Sequence, residues 1–313
     1  MAQRVISPVA FHNTVQKLRQ FFLNKGFIEC HPQSAVSILA ACEDPKNISQ
    51  YNFNDTVWPL PQTGQMWLEH CLLQNPEVEG LFCVSTSYRN EPNPIPGRHE
   101  RIFPLFEFEM KGDIKDLATM EKELCMHMGF GKFYDNKIEN IPEGEYREIA
   151  KKYKVKEIEA EQENQMVKDF GPVFLLKDFP LYTSPFWNMK MRPGTDIAEK
   201  IDVILGGQET IGSAERSCNK EEMRELFLNI SEGEYKTILF NKFGEKRVMK
   251  ELDQFLSYDF FPRVGGGIGV TRMISALQSC NLLENSQDIS LFKDVCEKVT
   301  QQKQEQQQIK FEL

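Results

Sequence analysis

The sequence predicts an α+β fold in which an antiparallel sheet is flanked by helices, and three observations carry that prediction. Segments 81–84 and 103–109 are rich in apolar residues, are joined by a charged loop, and read as neighbouring antiparallel strands. Further strand candidates follow at 173–176, 201–205 and 208–211, the last two separated by Gly206-Gly207. Between them lie segments whose apolar residues recur at helical spacing.

Taken in chain order, residues 12–25 read as a helix. Val15, Leu18, Phe21 and Phe22 form its apolar stripe, and Gly26 suits its C-terminal end. Residues 27–30 read as a short strand before His31-Pro32, and 37–51 as a mostly polar loop. Gln62-Thr63-Gly64-Gln65 precedes a helix carrying Met66, Leu68, Leu72 and Leu73. The loop after the 81–84 strand holds Pro92, Pro94, Pro96 and Gly97, so it cannot be helical. Pairing of the strands on either side places Arg89, Glu91, His99 and Glu109 near one surface.

A helix is expected over 114–128. Residues 136–165 are highly charged and read as a peripheral helical excursion whose charge pairs solvate a face. The most informative stretch is Phe261-Pro262-Arg263-Val264-Gly265-Gly266-Gly267-Ile268-Gly269-Val270-Thr271-Arg272. Met273, Ile274 and Leu277 form a helical apolar face immediately after it, so Arg272 is aimed from a rigid element just beyond a glycine cluster. The stretch reads either as a backbone approach to a ligand or as a glycine-rich turn with a surface arginine. It is neither a P-loop nor a dinucleotide fingerprint. Residues 300–308 are rich in Gln and Lys and lack an apolar period, which suggests a folded domain over 1–292 and a polar tail over 293–313.

Composition narrows the function classes. A chain of 313 residues with 23 Phe and three Trp can bury a substantial core, and a net charge of -9 argues against a broadly basic nucleic-acid surface. No terminal stretch has the length of a signal peptide or a membrane span, so a soluble cytoplasmic protein is the default. The eight cysteines include no Cys-x-x-Cys pair and the five histidines no His-Glu-x-x-His box. Reduced structural thiols are therefore expected, with magnesium the one metal left open, because its oxygen ligands leave little trace in sequence.

Arg89 and Arg272 together can grip a triphosphate, since a guanidinium makes bidentate charged hydrogen bonds. Glu209, Glu109 and Asp202 supply acidic oxygens that can recruit magnesium to the same phosphates; strand acids otherwise belong to salt bridges. Phe103 is either a flat surface for adenine or a core residue. Arg216, after Gly212-Ser213-Ala214-Glu215, either holds a substrate carboxylate or is a surface charge.

The order of these segments resembles the catalytic domain of class II aminoacyl-tRNA synthetases over roughly residues 10 to 290. Phe27 to Pro32 is similar to that family's first motif. Tyr88-Arg89-Asn90-Glu91, the loop and Phe103 to Glu109 are similar to the second, and Gly267-Ile268-Gly269-Val270-Thr271-Arg272 to the third. The stretch from Gly207 to Arg216 resembles the aspartyl and asparaginyl subgroup. The resemblance implies a class II synthetase-like sheet and ATP as cosubstrate. Arg89 is then expected at the α-phosphate, Glu91 near the adenine or the amino-acid site, and Arg98 or His99 at the outer phosphates. Phe103 is expected under the adenine and Arg272 at the γ-phosphate. It further implies magnesium-ATP at Glu209, with Asp202 the second acid read from the residues, the amino acid at Arg216 with Gln62 and Gln65 in a substrate loop, and a homodimer.

Two departures stand out. The first motif comes within about 30 residues, with no anticodon-binding barrel before it. Thr271 and Ile102 also replace residues that are commonly acidic in the tRNA ligases. These features suggest a stand-alone relative resembling the ammonia-dependent asparagine synthetases, converting aspartate and ammonia to asparagine with release of AMP. The same ATP grip equally serves an aminoacyl-adenylate-forming enzyme that charges tRNA or a protein, and an inactive synthetase-like binding protein is the non-enzyme alternative.

Overall fold

Side-chain alternation along the strands decides which residues enter the core and which face the opposite side of the sheet. The computed structural model describes residues 6–32, 38–39, 43–95 and 98–283. Its elements in chain order are α1 (Pro8–Asn24), β1 (Ile28–Glu29), β2 (Gln50–Phe53), β3 (Thr56–Pro59), α2 (Gln65–Gln74), β4 (Gly80–Tyr88), β5 (Ile102–Lys111) and α3 (Ile114–Met128). There follow β6 (Glu143–Glu145), α4 (Tyr146–Tyr153), α5 (Ala160–Phe170), β7 (Val173–Pro180), β8 (Ile197–Leu205) and β9 (Gln208–Glu215). Then come α6 (Lys220–Asn229), α7 (Glu234–Phe243), α8 (Glu245–Leu256), β10 (Arg263–Gly269) and α9 (Val270–Ser279).

Eight strands form one sheet in the order β1-β4-β5-β10-β9-β8-β7-β6, and β2 and β3 form a separate hairpin. The pairs inside the large sheet are antiparallel. Its two edge pairs, β1 with β4 and β6 with β7, are parallel. The α+β expectation therefore describes this chain, with a mixed sheet in place of a wholly antiparallel one.

On one face, Phe106, Phe108, Ile201, Val203, Val264 and Ile268 pack against α1, α3 and α9 in the largest core cluster. The alternating positions point the other way. Phe103, Leu105, Glu107 and Glu109 of β5 lie opposite or beside Gly265, Gly267 and Gly269 of β10. Gly212 and Ala214 of β9, with Lys200 and Asp202 of β8, continue the same face. This polar face carries the site.

The glycine cluster is a central strand and not a turn. It escaped strand assignment because glycines offer no side chains to alternate. Two of the glycines make room for protein: a Cβ on Gly265 would collide with the Glu109 carboxylate, and one on Gly266 would lie 2.8 Å from the Gly212 carbonyl oxygen. Gly267 and Gly269 instead line a cavity on the polar face.

Segment 136–165 is also more than a solvated excursion. Its Tyr146, Ile149 and Ala150, with Met166 just beyond it, are buried against Phe174, Leu176, Phe179 and Ile204, and Phe170 stacks on Phe174 at 4.4 Å between centroids. Helices α6, α7 and α8 enclose Trp187, Phe227, Leu239 and Leu252 in a second core. All six cysteines among the described residues are free thiols. No helix among the described residues is long and apolar enough to cross a membrane. The polar tail read at 293–313 lies outside the described residues.

Candidate active site

Arg89 leaves the end of β4 and Arg272 sits in the first turn of α9, and both line one cavity on the polar face of the sheet. Glu91, Arg98, His99, Phe103, Glu209 and Gln65 line the same cavity. Two guanidinium groups 183 positions apart in the chain converge because β10 runs beside β5, and β5 beside β4. The start of α9 adds the positive end of a helix dipole to the same space.

Each lining arginine rests on a carboxylate or a carbonyl. The Arg89 guanidinium lies 3.8 Å from Glu43 and 5.8 Å from the centre of the Phe103 ring, and its buried Nε has no hydrogen-bond partner among the described residues. Arg272 donates from Nη1 to the Glu209 carbonyl at 2.6 Å, with the Glu209 carboxylate 4.0 Å away. Arg98 donates to the Gly207 carbonyl at 3.1 Å and to the carboxylate of Glu163 on α5. His99 Nδ1 lies 2.9 Å from Glu91 Oε1. The pairs of Arg89, Arg272 and His99 are half-exposed, and such pairs are weak in water and exchangeable for an anionic ligand.

Beneath the lining, the acids are less available. Glu109 is fully buried, and Arg216 donates to both of its oxygens, at 2.7 and 3.3 Å. Burial raises the Glu109 carboxyl above its ordinary range, while Arg216 opposes that shift. The expectation that Glu109 stands near the surface with Arg89 is therefore corrected: it lies deeper, as the counter-ion of Arg216. Arg216 is itself buried, and it reaches the lining of a small adjoining cleft with Gln65, Glu69 and Asn188. Gln62 is placed elsewhere. It is fully buried, and its side-chain amide is spent on the backbone of Asp44, accepting at 2.6 Å and donating at 2.9 Å.

Asp202 shares the face of the sheet with Glu209 but does not line the cavity, and Lys200 donates to both of its oxygens at 2.5 Å. Burial, with Glu209 and Glu163 nearby, pushes its carboxyl up to about 7, against the pull of Lys200. A Cβ on Gly212 would lie 3.1 Å from a Glu209 oxygen and 3.6 Å from an Asp202 oxygen, so the glycine keeps the space between the two carboxylates open. Among the described residues, no group of three or more His, Cys, Asp or Glu is arranged to hold a metal ion.

Several site residues carry little or no signal in the sequence. Glu107 lines the cavity although it is fully buried, and it accepts from Thr63 Oγ1, from Ser85 Oγ and from the Gly64 backbone N–H at 2.9 Å. Burial raises its carboxyl and these donors pull it back. Period-2 alternation from Phe103 is the signal that could have found it. Glu43 and Glu163 have no such signal, since their partners come from distant segments.

Comparison with known proteins fits this geometry. The profile of tRNA synthetases class II (D, K and N) matches residues 9–293. An aspartate--tRNA(Asp) ligase of Pyrobaculum aerophilum is 23% identical over 292 residues, covering 84% of this chain and 62% of that protein. The asparaginyl-tRNA synthetase of Pyrococcus horikoshii complexed with asparaginyl-adenylate superposes with a TM-score of 0.68 at 19% identity, covering 86% of this chain and 64% of the other. A putative aspartyl-tRNA synthetase from Leishmania major gives 0.66 at 16%, covering 85% and 61%. This chain thus spans about three-fifths of the length of the relatives it matches. The reading as a stand-alone ammonia-dependent asparagine synthetase is overturned by these matches, because the profile and the relatives are tRNA ligases. Of the two replacements that suggested it, Thr271 is buried in the first turn of α9 and lines the cavity, and Ile102 is an exposed residue at the start of β5. The chain belongs to the class II tRNA synthetases of the D, K and N group.

Proposed function

We propose that this chain is the catalytic core of an ATP-dependent, AMP-forming ligase that activates a small amide-bearing amino acid as its adenylate and passes it to tRNA. The observation that carries the reading is the convergence of Arg89 and Arg272 on one cavity that Phe103 and Glu209 also line. An oxygen of the amino acid's α-carboxylate attacks the α-phosphorus of ATP, forming the acyl–phosphate bond as the bond to pyrophosphate breaks. Arg89 meets charge developing on the α-phosphoryl oxygens with its unspent Nε and exchanges Glu43 for them. Arg272 holds the outer phosphates that depart, and Phe103 presents its ring to the adenine. A hydroxyl of the tRNA then attacks the activated carbonyl, and AMP leaves.

Glu209, which lines the cavity, is the residue that would hold magnesium; Asp202 lies behind it with both oxygens engaged by Lys200. The Glu209 carboxylate would supply hard oxygen donors suited to an ion that takes its remaining ligands from phosphates and water. When bound, the ion neutralises phosphate charge.

The amide preference follows from charge balance. Arg216 is already neutralised by Glu109, and Glu69, 3.8 Å from Arg216, is paired with Arg263. A second carboxylate in the cleft would find no uncompensated cation among the described residues, and burying an unpaired charge is costly. An amide instead gives a carbonyl oxygen to Arg216 and N–H groups to the surrounding acids. ATP–pyrophosphate exchange is expected with asparagine, and at least about 10-fold more weakly with aspartate, the scale of one charge-assisted hydrogen bond. Exchange with aspartate alone would reverse the preference, and exchange with neither would sink the adenylate reading.

A homodimer is part of this proposal. The outer edge of β1 pairs with no strand among the described residues, and Ile28 on it and Leu23 of the preceding helix are 51% and 50% exposed. Such an edge is usually covered. Sedimentation equilibrium is expected to give twice the mass of the chain; a monomer at micromolar concentration would refute this part alone.

A further inference from the structure

We propose that Glu163, on α5 and outside the cavity lining, is a positioning residue that aims Arg98 at the outer phosphates of ATP; the inference rests on the adenylate-forming reading above. Arg98 comes from the long loop between β4 and β5, where Pro92 and Pro94 preclude regular structure. A guanidinium on such a loop samples many rotamers unless something outside the loop restrains it. Here two groups do. Nη1 donates to the Gly207 carbonyl at 3.1 Å, and Nη2 donates to Glu163 Oε2. The same Oε2 accepts the backbone N–H of Glu209 at 3.1 Å. One carboxylate oxygen thereby ties the arginine of the loop to a strand residue that lines the same cavity. The Arg98 and Glu163 side chains are only 16% and 14% exposed, so the link is far better shielded than the rim pairs of Arg89 and Arg272.

Glu163 is not required to anchor its helix. Buried Met166 and the Phe170–Phe174 stack hold α5 to the sheet, and Glu159 with Gln162 caps its start. Among the described residues Arg98 bonds only through Nη1 and Nη2, which leaves its Nε and the second N–H of each terminal nitrogen to meet a ligand, the arrangement of a pre-aimed donor. The competing role is a restraint, in which Glu163 occupies Arg98 until phosphate displaces it. The two differ in sign.

The test is Glu163→Gln in the full chain, with ATP compared against AMP, which lacks the outer phosphates. The expected result is a KM for ATP in pyrophosphate exchange raised about 10-fold, kcat within about 2-fold, and unchanged inhibition by AMP. Arg98→Ala should reproduce the split, and the Arg98→Ala/Glu163→Gln double variant should be no worse than Arg98→Ala alone. An unchanged or lowered KM for ATP, or equal weakening towards ATP and AMP, overturns the inference. If Glu163→Gln unfolds, Glu163→Asp, which keeps the charge at shorter reach, carries the same comparison. Should the native protein bind ATP but catalyse no exchange, the adenylate reading falls alone, and calorimetric ATP and AMP affinities of the variants still decide the role of Glu163.

Discussion

Arg272→Ala is expected to lower ATP-dependent pyrophosphate exchange by about 100-fold or more while leaving the fold intact. Its side chain is 28% exposed and contributes one hydrogen bond, to the Glu209 carbonyl, with the Glu209 carboxylate at the limit of ion-pair distance. Losing such a half-exposed contact costs folding no more than about 1 kcal/mol. Losing one aimed donor where charge moves in a reaction costs about 3 kcal/mol, which is a factor of about 100 in rate. The two magnitudes separate the catalytic reading from a structural one. Arg89→Ala should behave in the same way, with an added loss from removing the cation beside Phe103. Exchange rates and thermal melts on the same preparations make the comparison. Exchange within about 2-fold of the native protein would remove Arg272 from the reaction.

How much of this could be read from sequence depended on whether a residue's partners were near it in the chain. Helix α3 falls where its apolar spacing placed it, at 114–128, because a capping box at Asp113 and Asp116 and the left-handed Gly129 mark both ends locally. Strand β5 was legible from its alternation. The same alternation carried no depth information: Phe103, Glu107 and Glu109 share a face, yet Phe103 and Glu107 line the cavity and Glu109 lies beneath, covered by Arg216 from beyond another strand. Strand β10 was illegible as a strand because its glycines serve neighbours that the sequence does not reveal. The burial of Gln62 was not legible because its amide turns back on Asp44, a partner 18 residues away that a motif position does not reveal. Among the arginines, Arg89 and Arg272 stood out by their settings. Arg263, inside the very segment that drew attention, did not, although it is the most deeply buried of the arginines around the site.

Arg263 is fully buried at the start of β10. It donates from Nε and Nη2 to Glu69 Oε2 at 2.9 and 2.7 Å and from Nη1 to the Ser217 carbonyl at 3.2 Å, and its guanidinium lies 4.7 Å from the centre of the Phe260 ring. Glu69, equally buried on α2, accepts in addition from Asn188 at 2.6 Å. Arg263→Met is expected to destabilise the protein by about 3–5 kcal/mol, since it leaves a buried carboxylate without its counter-ion. Glu69→Met alone should cost a similar amount by stranding the guanidinium. The double variant should recover most of that loss, because a buried pair replaced by apolar groups of similar volume is close to neutral. Denaturant unfolding of the four proteins closes the cycle; single-variant losses below about 1 kcal/mol would show that the pair is hydrated or relaxes freely. Recovery of stability should not bring recovery of function. Glu69 and Asn188 line the cleft beside Arg216, so removing the carboxylate takes away one of the acids close to Arg216 and the acceptor of the Asn188 amide. The restored double variant should therefore fold like the native protein and still require a higher amino-acid concentration for exchange. That separation of stability from amino-acid use distinguishes a buried pair kept to shape the cleft from one kept to hold the sheet to α2.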